Sequence, residues 1–106
     1  MENNDNNILI YQDDDGTTKV NVRFADEDAW LTQAQLAEIY NTSQENISMH
    51  ISNIYKEAEL AQERTNKKFL LVRQEGVRSV RRNIDHYNLD VIIALGYRVQ
   101  SQVATR

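Results

Sequence analysis

The basic residues of this chain are concentrated in one short segment. Residues 64–82 contain seven Lys and Arg residues and one acidic residue, whereas residues 1–63 contain thirteen acidic and three basic residues. Because a nucleic acid is bound by several cations that neutralise neighbouring phosphates, this segment is typical of a surface that grips an anionic partner. The alternative is a strand with a solvated charged face. The net charge of −4 therefore does not exclude a nucleic-acid partner.

A second polar set lies in residues 43–56, on one side of a predicted helix. If Ile47, Ile51 and Ile54 face the core, the opposite side presents small and lightly charged side chains, which can enter a major groove and hydrogen-bond base edges. The alternative is a merely solvated helix face. The predicted base-reading residues are Gln44, Glu45, Ser48, Met49, Ser52 and Asn53. The predicted phosphate-binding residues are Ser43, Lys56, Arg73, Arg78, Arg81 and Arg82.

Residues that could support catalysis are few. His50 and His86 are the only histidines, and no spacing links either to a nucleophile. The acidic run 13–15 precedes a glycine but lacks the spaced ligands of a calcium loop, so a solvated turn is the simpler interpretation. The glycines do not form a phosphate-binding loop. We therefore predict no enzyme activity, catalytic residue, metal site, cofactor or small-molecule substrate.

The composition also limits the compartment. The chain has no cysteine, which excludes disulfides and thiolate metal sites. No apolar run approaches the ~20 residues that a membrane-spanning helix needs, and the polar, acidic N-terminus does not resemble a signal peptide. A cytoplasmic protein that does not bind membranes is expected.

The periodicity of apolar residues predicts the elements that position these side chains. Alternation predicts strands, and a spacing of three to four residues predicts helices. A hairpin turn is expected at Glu75-Gly76, with a bulge or twist in the strand that follows. The predicted elements are strands at 8–12 and 18–24, a connection at 25–31, helices at 33–40 and from 44 to 56 or 61, strands at 68–74 and 77–84, and a helix at 89–97.

The two central helices have the ingredients of a helix-turn-helix. Thr32 and Ser43 are predicted N-caps, Ala37 permits close approach of the helices, and Asn41 takes the left-handed turn position. His50 occupies a position that is usually apolar, so the second helix is either rotated slightly or half-buries this residue. The fold class that follows is α+β, a winged helix-turn-helix with an N-terminal β-hairpin and a basic wing hairpin. Residues 1–7 are expected to form a disordered head and residues 8–106 the domain.

Two blocks of the sequence carry a family resemblance. WLTQAQLAEIY with NTSQENISMHISNI, and HYNLDVIIALGYRV near the end, resemble the N-terminal region of the virulence-associated RhuM family, from Trp30 to Thr105. Similar domains also precede Fic-type domains. The resemblance implies a DNA-binding domain of a bacterial or phage-linked transcriptional regulator. Because members of the family usually continue with an amphipathic helical region, it also implies a domain excised from a longer protein.

Double-stranded DNA is therefore the expected partner, with bases read by the helix from Gln44 and the backbone held by the hairpin at 68–82. One such module forms a small interface, so specificity is expected to require a homodimer or further domains. The rival interpretation is a protein–protein interaction or adaptor module that positions a downstream domain. An exposed patch of Met49, Ile54 and Tyr55 would favour that rival.

Overall fold

The computed structural model describes residues 6–13 and 16–104, and the side chains of residues 22–72 and 74–101. Within these ranges the chain is an α+β fold with four helices and an antiparallel sheet of five strands in the order β1-β2-β3-β5-β4. The elements are β1 (Asn6–Asp13), β2 (Gly16–Ala25), β3 (Asp28–Thr32), α1 (Gln33–Ile39), α2 (Gln44–Lys56), α3 (Gln62–Thr65), β4 (Asn66–Glu75), β5 (Arg78–Tyr87) and α4 (Leu89–Ala104).

The N-terminal hairpin of β1 and β2 is present as predicted, with Asn6 paired to Arg23. The expected head therefore overlaps β1 at residues 6 and 7, while residues 1–5 and the turn residues 14–15 lie outside the described residues. The predicted connection at 25–31 is wrong. It contains the third strand, which pairs with β2 through a tight turn at Asp26 and Glu27, both with positive φ.

β4 and β5 form the second hairpin, here named the basic hairpin. Its register is regular from Asn66 opposite Tyr87 to Glu75 opposite Arg78, so the bulge expected in the second strand is absent. The turn lies one residue later than predicted, at Gly76 and Val77, with Gly76 at φ 67°. The irregular apolar spacing that suggested a bulge has another cause: the outer part of this hairpin is exposed on both faces, so no strict alternation is required.

Local hydrogen bonds determine where α1 and α2 begin. Thr32 accepts from the Gln35 amide while the Gln35 side chain accepts from the Thr32 amide, which forms the predicted capping box. Ser43 accepts from the Asn46 amide and caps α2. Between the helices Asn41 adopts φ 53°, the left-handed conformation predicted for it. α2 ends at Lys56 and does not continue to residue 61.

α4 is longer than predicted and passes through Gly96 without ending. An added Cβ at Gly96 would lie 3.1 Å from the Tyr40 hydroxyl oxygen, so this glycine permits α1 and α4 to approach closely. The Tyr40 hydroxyl donates to the Ile92 carbonyl at 2.6 Å. At the other end of α4, the Asn88 side-chain oxygen accepts from the Val91 amide, and Asp28 accepts from the Asn88 side-chain amide. Asp28 thus joins β3 to the start of α4.

The core lies between the helices and the sheet. Its fully buried side chains are Leu31, Leu36, Ile47, Ile54, Val91 and Leu95. His50 is also buried, next to the buried Ile51, so α2 keeps its apolar stripe and accommodates His50 on the core side. Although the apolar residues of α4 are dense, only one side of the helix is buried, and Leu89 and Ile93 are exposed. In the described part of the chain, no helix has the length and apolarity required to cross a membrane.

Candidate nucleic-acid interface

The outward side of α2 carries the residues predicted to read bases. All of them are exposed except Asn53, which is half-buried. Their outward position follows from the burial of Ile47, Ile51 and Ile54 on the opposite side, as the sequence predicted. Met49 is the single large apolar side chain among them. The result is a small, largely uncharged polar surface on one helix.

Three residues of this surface have structural roles that leave them available to a ligand. Ser43 uses its hydroxyl oxygen as the cap acceptor at 3.0 Å, so its hydroxyl proton remains free to be donated. Glu45 lies in the first turn of α2 and Lys56 in the last, where each charge is stabilised by the helix dipole. The dipole therefore accounts for an acidic residue on a surface that would otherwise repel phosphate.

A groove separates the starts of α1 and α2 from the basic hairpin. Its volume is about 580 Å³. Gln44 contributes to the helical wall, and Leu71 and Asn83 contribute to the hairpin wall. Because Leu71 is the cross-strand partner of Arg82, the basic part of the hairpin begins at the edge of this groove. The structure thus brings the first predicted base-reading residue and the predicted phosphate-binding strands to one concave surface.

Ion pairs neutralise some of the basic side chains of residues 64–82 and leave other described side chains uncompensated. Near the base of the hairpin, Lys67 pairs with Asp26, and Lys68 pairs with Asp85 at 2.9 Å. Further out, Arg82 lies 3.5 Å from Glu75. Arg78 and Arg81 are exposed and form no ion pair with any described side chain. Within the basic hairpin, the arginines without an ion pair to a described side chain are therefore in the outer half, away from its base.

The arginines predicted to bind phosphate do not all share one face of the hairpin. Neighbouring residues on a strand point to opposite faces, so Arg81 faces away from Arg82. Arg78 is on the same face as Arg82, since four residues separate them. Arg73 is placed opposite Val80 in the register, and its side chain lies outside the described ones. The hairpin thus carries exposed cations on both faces.

A cluster that sequence reasoning missed anchors the base of the hairpin. The Phe69 ring packs edge-on against Trp30 and His86, with centroids 5.7 Å and 5.0 Å away. The Arg23 guanidinium lies 4.8 Å from the Phe69 centroid, and the Lys67 ammonium 5.3 Å from that of Trp30. Trp30 is buried, and nothing in the sequence links it to Phe69. These contacts hold β4 and β5 against β2 and β3.

His86 and Asp85, at the base of the hairpin, both have displaced pKa values. Burial lowers the pKa of His86, and the neighbouring Arg23 lowers it further, while the hydrogen bond to the Ile84 carbonyl and the charge of Asp85 oppose the shift. His86 is thus favoured as the neutral imidazole, with Nδ1 donating to Ile84 at 2.8 Å. The hydrogen bond from Lys68 lowers the pKa of Asp85. Both shifts are explained by packing at the hairpin base, with no catalytic role required.

A separate apolar strip lies on α4. Ile93 is 51% exposed and Tyr97 72% exposed, and they flank a shallow groove beside Tyr40 and Gly96. Leu89 extends the strip by one turn, towards the exposed Phe24. Tyr97 is thus on the surface, although aromatic side chains are more often found in the core. The Met49, Ile54 and Tyr55 patch that would have favoured an interaction module is not formed, because Ile54 is fully buried.

The fold and this surface define a mixed α+β domain with a polar helix and a basic hairpin around one groove. Part of this domain is similar to a known family: residues 64–106 match the model of the Virulence protein RhuM family. The match covers the basic hairpin and α4, and the likeness to that family is shown for these residues. The first block of the resemblance, from Trp30, lies outside the matched residues. No curated protein and no solved structure matches the chain.

Proposed function

We propose that this chain is a winged helix-turn-helix domain that binds double-stranded DNA, from a bacterial or phage-linked transcriptional regulator of the RhuM family. α2 enters the major groove with its exposed polar face, and the basic hairpin is the wing that contacts the backbone. The domain acts by binding, without chemistry. The family match over residues 64–106 supports the assignment, as does the resemblance of the WLTQAQLAEIY block.

One observation carries this proposal. The exposed polar face of α2 begins at a groove whose opposite wall is the basic hairpin. Arg78 and Arg81 on that hairpin form no ion pair with an acidic side chain that the structure describes. Phosphate contacts position a protein on the duplex, and base contacts give it sequence specificity. A base-reading helix and the cations that bind phosphate must therefore lie side by side. A domain with net charge −4 would otherwise be repelled by DNA.

The proposal is tested on α2 with a pair of matched serine variants. In Ser52→Asp a negative charge would face the bases, and duplex affinity is expected to fall at least about tenfold, since like charges across an interface are costly. Ser101→Asp makes the same change on an exposed position of α4, which does not line the groove. Fluorescence anisotropy with a labelled duplex measures both. Equal affinities for the two variants would contradict the role of α2.

A second candidate function is a protein–protein interaction module, including self-association. It is favoured by the exposed strip of Leu89, Ile93 and Tyr97 on α4, because contiguous apolar surface often marks a partner site. Sedimentation equilibrium without DNA distinguishes the candidates. Salt-insensitive self-association with no duplex binding supports the interaction module. Self-association together with duplex binding would instead support the DNA-binding candidate. The second subunit of the homodimer would then contact the second half-site of the DNA.

A further inference from the structure

The five-stranded sheet ends in two edge strands, β1 and β4, whose outer sides pair with no other strand in the described part of the chain. An edge strand presents a row of backbone N–H and C=O groups to which a strand of another chain can hydrogen-bond. Proteins commonly protect such an edge with charged residues, a proline or a bulge. The two edges of this sheet differ in that protection.

β4 is a protected edge, because its sequence is strongly charged. It contains the basic residues Lys67, Lys68 and Arg73, and it ends at Glu75. If two copies of β4 paired with each other, their cations would be brought together, and like charges across a strand pair are destabilising. β4 therefore resists pairing with a second copy of itself.

β1 lacks these forms of protection. Residues 6–12 include no charged residue, proline or glycine, and Asp13 is the only charged residue of the strand. The pairing of β1 with β2 continues without a break from Asn6 to Asp13, so no bulge turns the strand away from a partner. A short uncharged segment that is rich in residues favouring strands, such as Ile8, Ile10 and Tyr11, readily pairs with another chain.

β1 also belongs to a ribbon that the rest of the sheet supports at one end only. β3 pairs with residues 23–25 of β2, whereas the pairing of β1 with β2 extends from residue 23 to residue 16. Residues 7–13 and 16–22 therefore have no third strand beside them in the described part of the chain. Because a two-stranded hairpin is only marginally stable by itself, a further strand along β1 would stabilise this ribbon.

Charge and symmetry favour β1 of a second copy as that further strand. The chain has a net charge of −4, so two copies repel each other least where they meet through an uncharged segment. Two β1 strands related by a twofold axis run antiparallel, and such an interface closes at two copies. With the axis at Leu9, residues 6–12 of the two strands pair over their whole length, and this segment contains no charged residue.

We propose that β1 pairs antiparallel with β1 of a second copy, so that the sheet continues from one domain into the other and the chain forms a homodimer. β1 is at one edge of the sheet and the basic hairpin is at the other, so this pairing leaves the hairpin exposed. The inference goes beyond the proposed DNA binding and does not depend on it.

The register identifies the backbone groups that form this interface. The first hairpin closes on Asp13 and Gly16 with two residues between them, so this pair is of the hydrogen-bonded kind. Hydrogen-bonded and non-hydrogen-bonded pairs alternate along antiparallel strands, so the amides of Ile8, Ile10 and Gln12 point away from β2. In the dimer these amides donate to the second copy.

The test introduces one lysine at each of three surfaces. Ile10→Lys places it in the middle of β1. Val72→Lys makes the same change of charge on the other edge strand, where the side chain is 63% exposed, and Ile93→Lys makes it on the apolar strip of α4, where the side chain is 51% exposed. Sedimentation equilibrium without DNA, over a range of protein concentrations, measures the dissociation constant of the dimer. Circular dichroism establishes whether each variant is folded.

We expect wild type to form dimers and Ile10→Lys to raise their dissociation constant at least about tenfold, because a lysine on an edge strand opposes strand pairing. Val72→Lys and Ile93→Lys should dimerise as wild type does. Amide hydrogen exchange of the wild type, followed by NMR, gives a second measurement that needs no variant. The amides of Ile8, Ile10 and Gln12 should become more protected as the protein concentration rises.

Three results would overturn the proposal. The first is a wild type that stays monomeric, with no concentration-dependent protection of these amides. The second is a dimer that Ile93→Lys weakens and Ile10→Lys does not, which would assign the contact to α4. The third is growth of the wild type beyond the dimer, which would indicate open-ended pairing of strands. Because DNA is absent from these experiments, all three results leave the proposed DNA binding standing.

Discussion

At the scale of single residues, His86 couples the hairpin base to pH. It is almost completely buried between Phe69 and the sheet, with its Nδ1 committed to the Ile84 carbonyl. A second proton would place a cation in this site, close to the Arg23 guanidinium. Burial lowers the pKa of His86 below its usual 6.5, so the unfolded chain binds this proton more readily than the folded chain.

Stability should therefore fall in mild acid. The contribution of His86 is fully present above about pH 6.5 and is lost as the pH falls through the lowered pKa of the folded state. We expect the free energy of unfolding to decrease between pH 7 and pH 5 in wild type, and to decrease less in His86→Gln. Urea titrations at several pH values measure this. Parallel pH profiles for the two proteins would mean that another group is responsible.

The structural role of a single residue could be predicted from the sequence where that residue bonds only to its near neighbours in the chain. Thr32, Ser43 and Asn41 have the cap and turn roles that their side chains indicated, because each forms bonds within a few positions of itself. Tyr97 could not be placed in this way. Its exposure depends on which side of α4 meets the core, and aromatic character alone favours burial.

At the scale of elements, α1 and α2 end in the same motif. After α1, Asn41 is left-handed and the Thr42 amide donates to the Ala37 carbonyl at 2.9 Å. After α2, Ala58 is left-handed at φ 58°, and the Glu59 amide donates to the Ile54 carbonyl at 2.9 Å. Both are Schellman caps. The first has an Asn that tolerates this conformation, whereas the second has an alanine that does not.

Ala58→Gly should therefore stabilise the domain. Relief of the left-handed strain contributes about 1–2 kcal/mol, and the added freedom of the unfolded chain removes part of it, which leaves roughly 0.5–1 kcal/mol. The matched control is Ala34→Gly on the exposed side of α1, which should destabilise by up to about 1 kcal/mol. Thermal unfolding of the three proteins measures both. A lower melting temperature for Ala58→Gly would contradict the motif.

The elements missed by sequence reasoning are those without a local signal. β3 was missed because its turn, Asp26-Glu27, has two left-handed residues but neither the Asn nor the Gly that usually indicates such a turn. α4 continues past Gly96 because the close contact with Tyr40, which is 56 residues earlier in the chain, determines the need for glycine there. The long, regularly patterned α2 was predicted well, and its end, which the sequence left open between residues 56 and 61, lies at Lys56.

At the scale of the whole molecule, charge and shape are both uneven. The radius of gyration of 14.6 Å exceeds the ~13 Å typical of compact chains of this length, as expected when hairpins extend beyond the core. The sequence predicted the asymmetry of charge but not its final position. Lys67 and Lys68 are compensated by Asp26 and Asp85, which are distant in sequence, and only the fold brings these groups together.

This arrangement means that the outer hairpin should determine how DNA affinity depends on salt. Affinity for DNA falls as the salt concentration rises. Each phosphate neutralised by a cation makes the slope of log affinity against log salt concentration steeper by about 0.9. Arg78→Gln with Arg81→Gln should therefore weaken binding and reduce the slope by about two. Gln100→Glu with Ser101→Glu lowers the net charge by the same amount on exposed positions of α4 and serves as the matched control.

The most direct test of DNA binding is fluorescence anisotropy of a labelled mixed-sequence duplex, titrated with these three proteins over a series of salt concentrations. DNA binding through the basic hairpin predicts a steep negative slope for wild type, a shallower slope for the double arginine variant and a nearly unchanged slope for the α4 control. If wild type fails to bind the duplex even at the lowest salt concentration, or binds it without any dependence on salt, the proposed function is wrong.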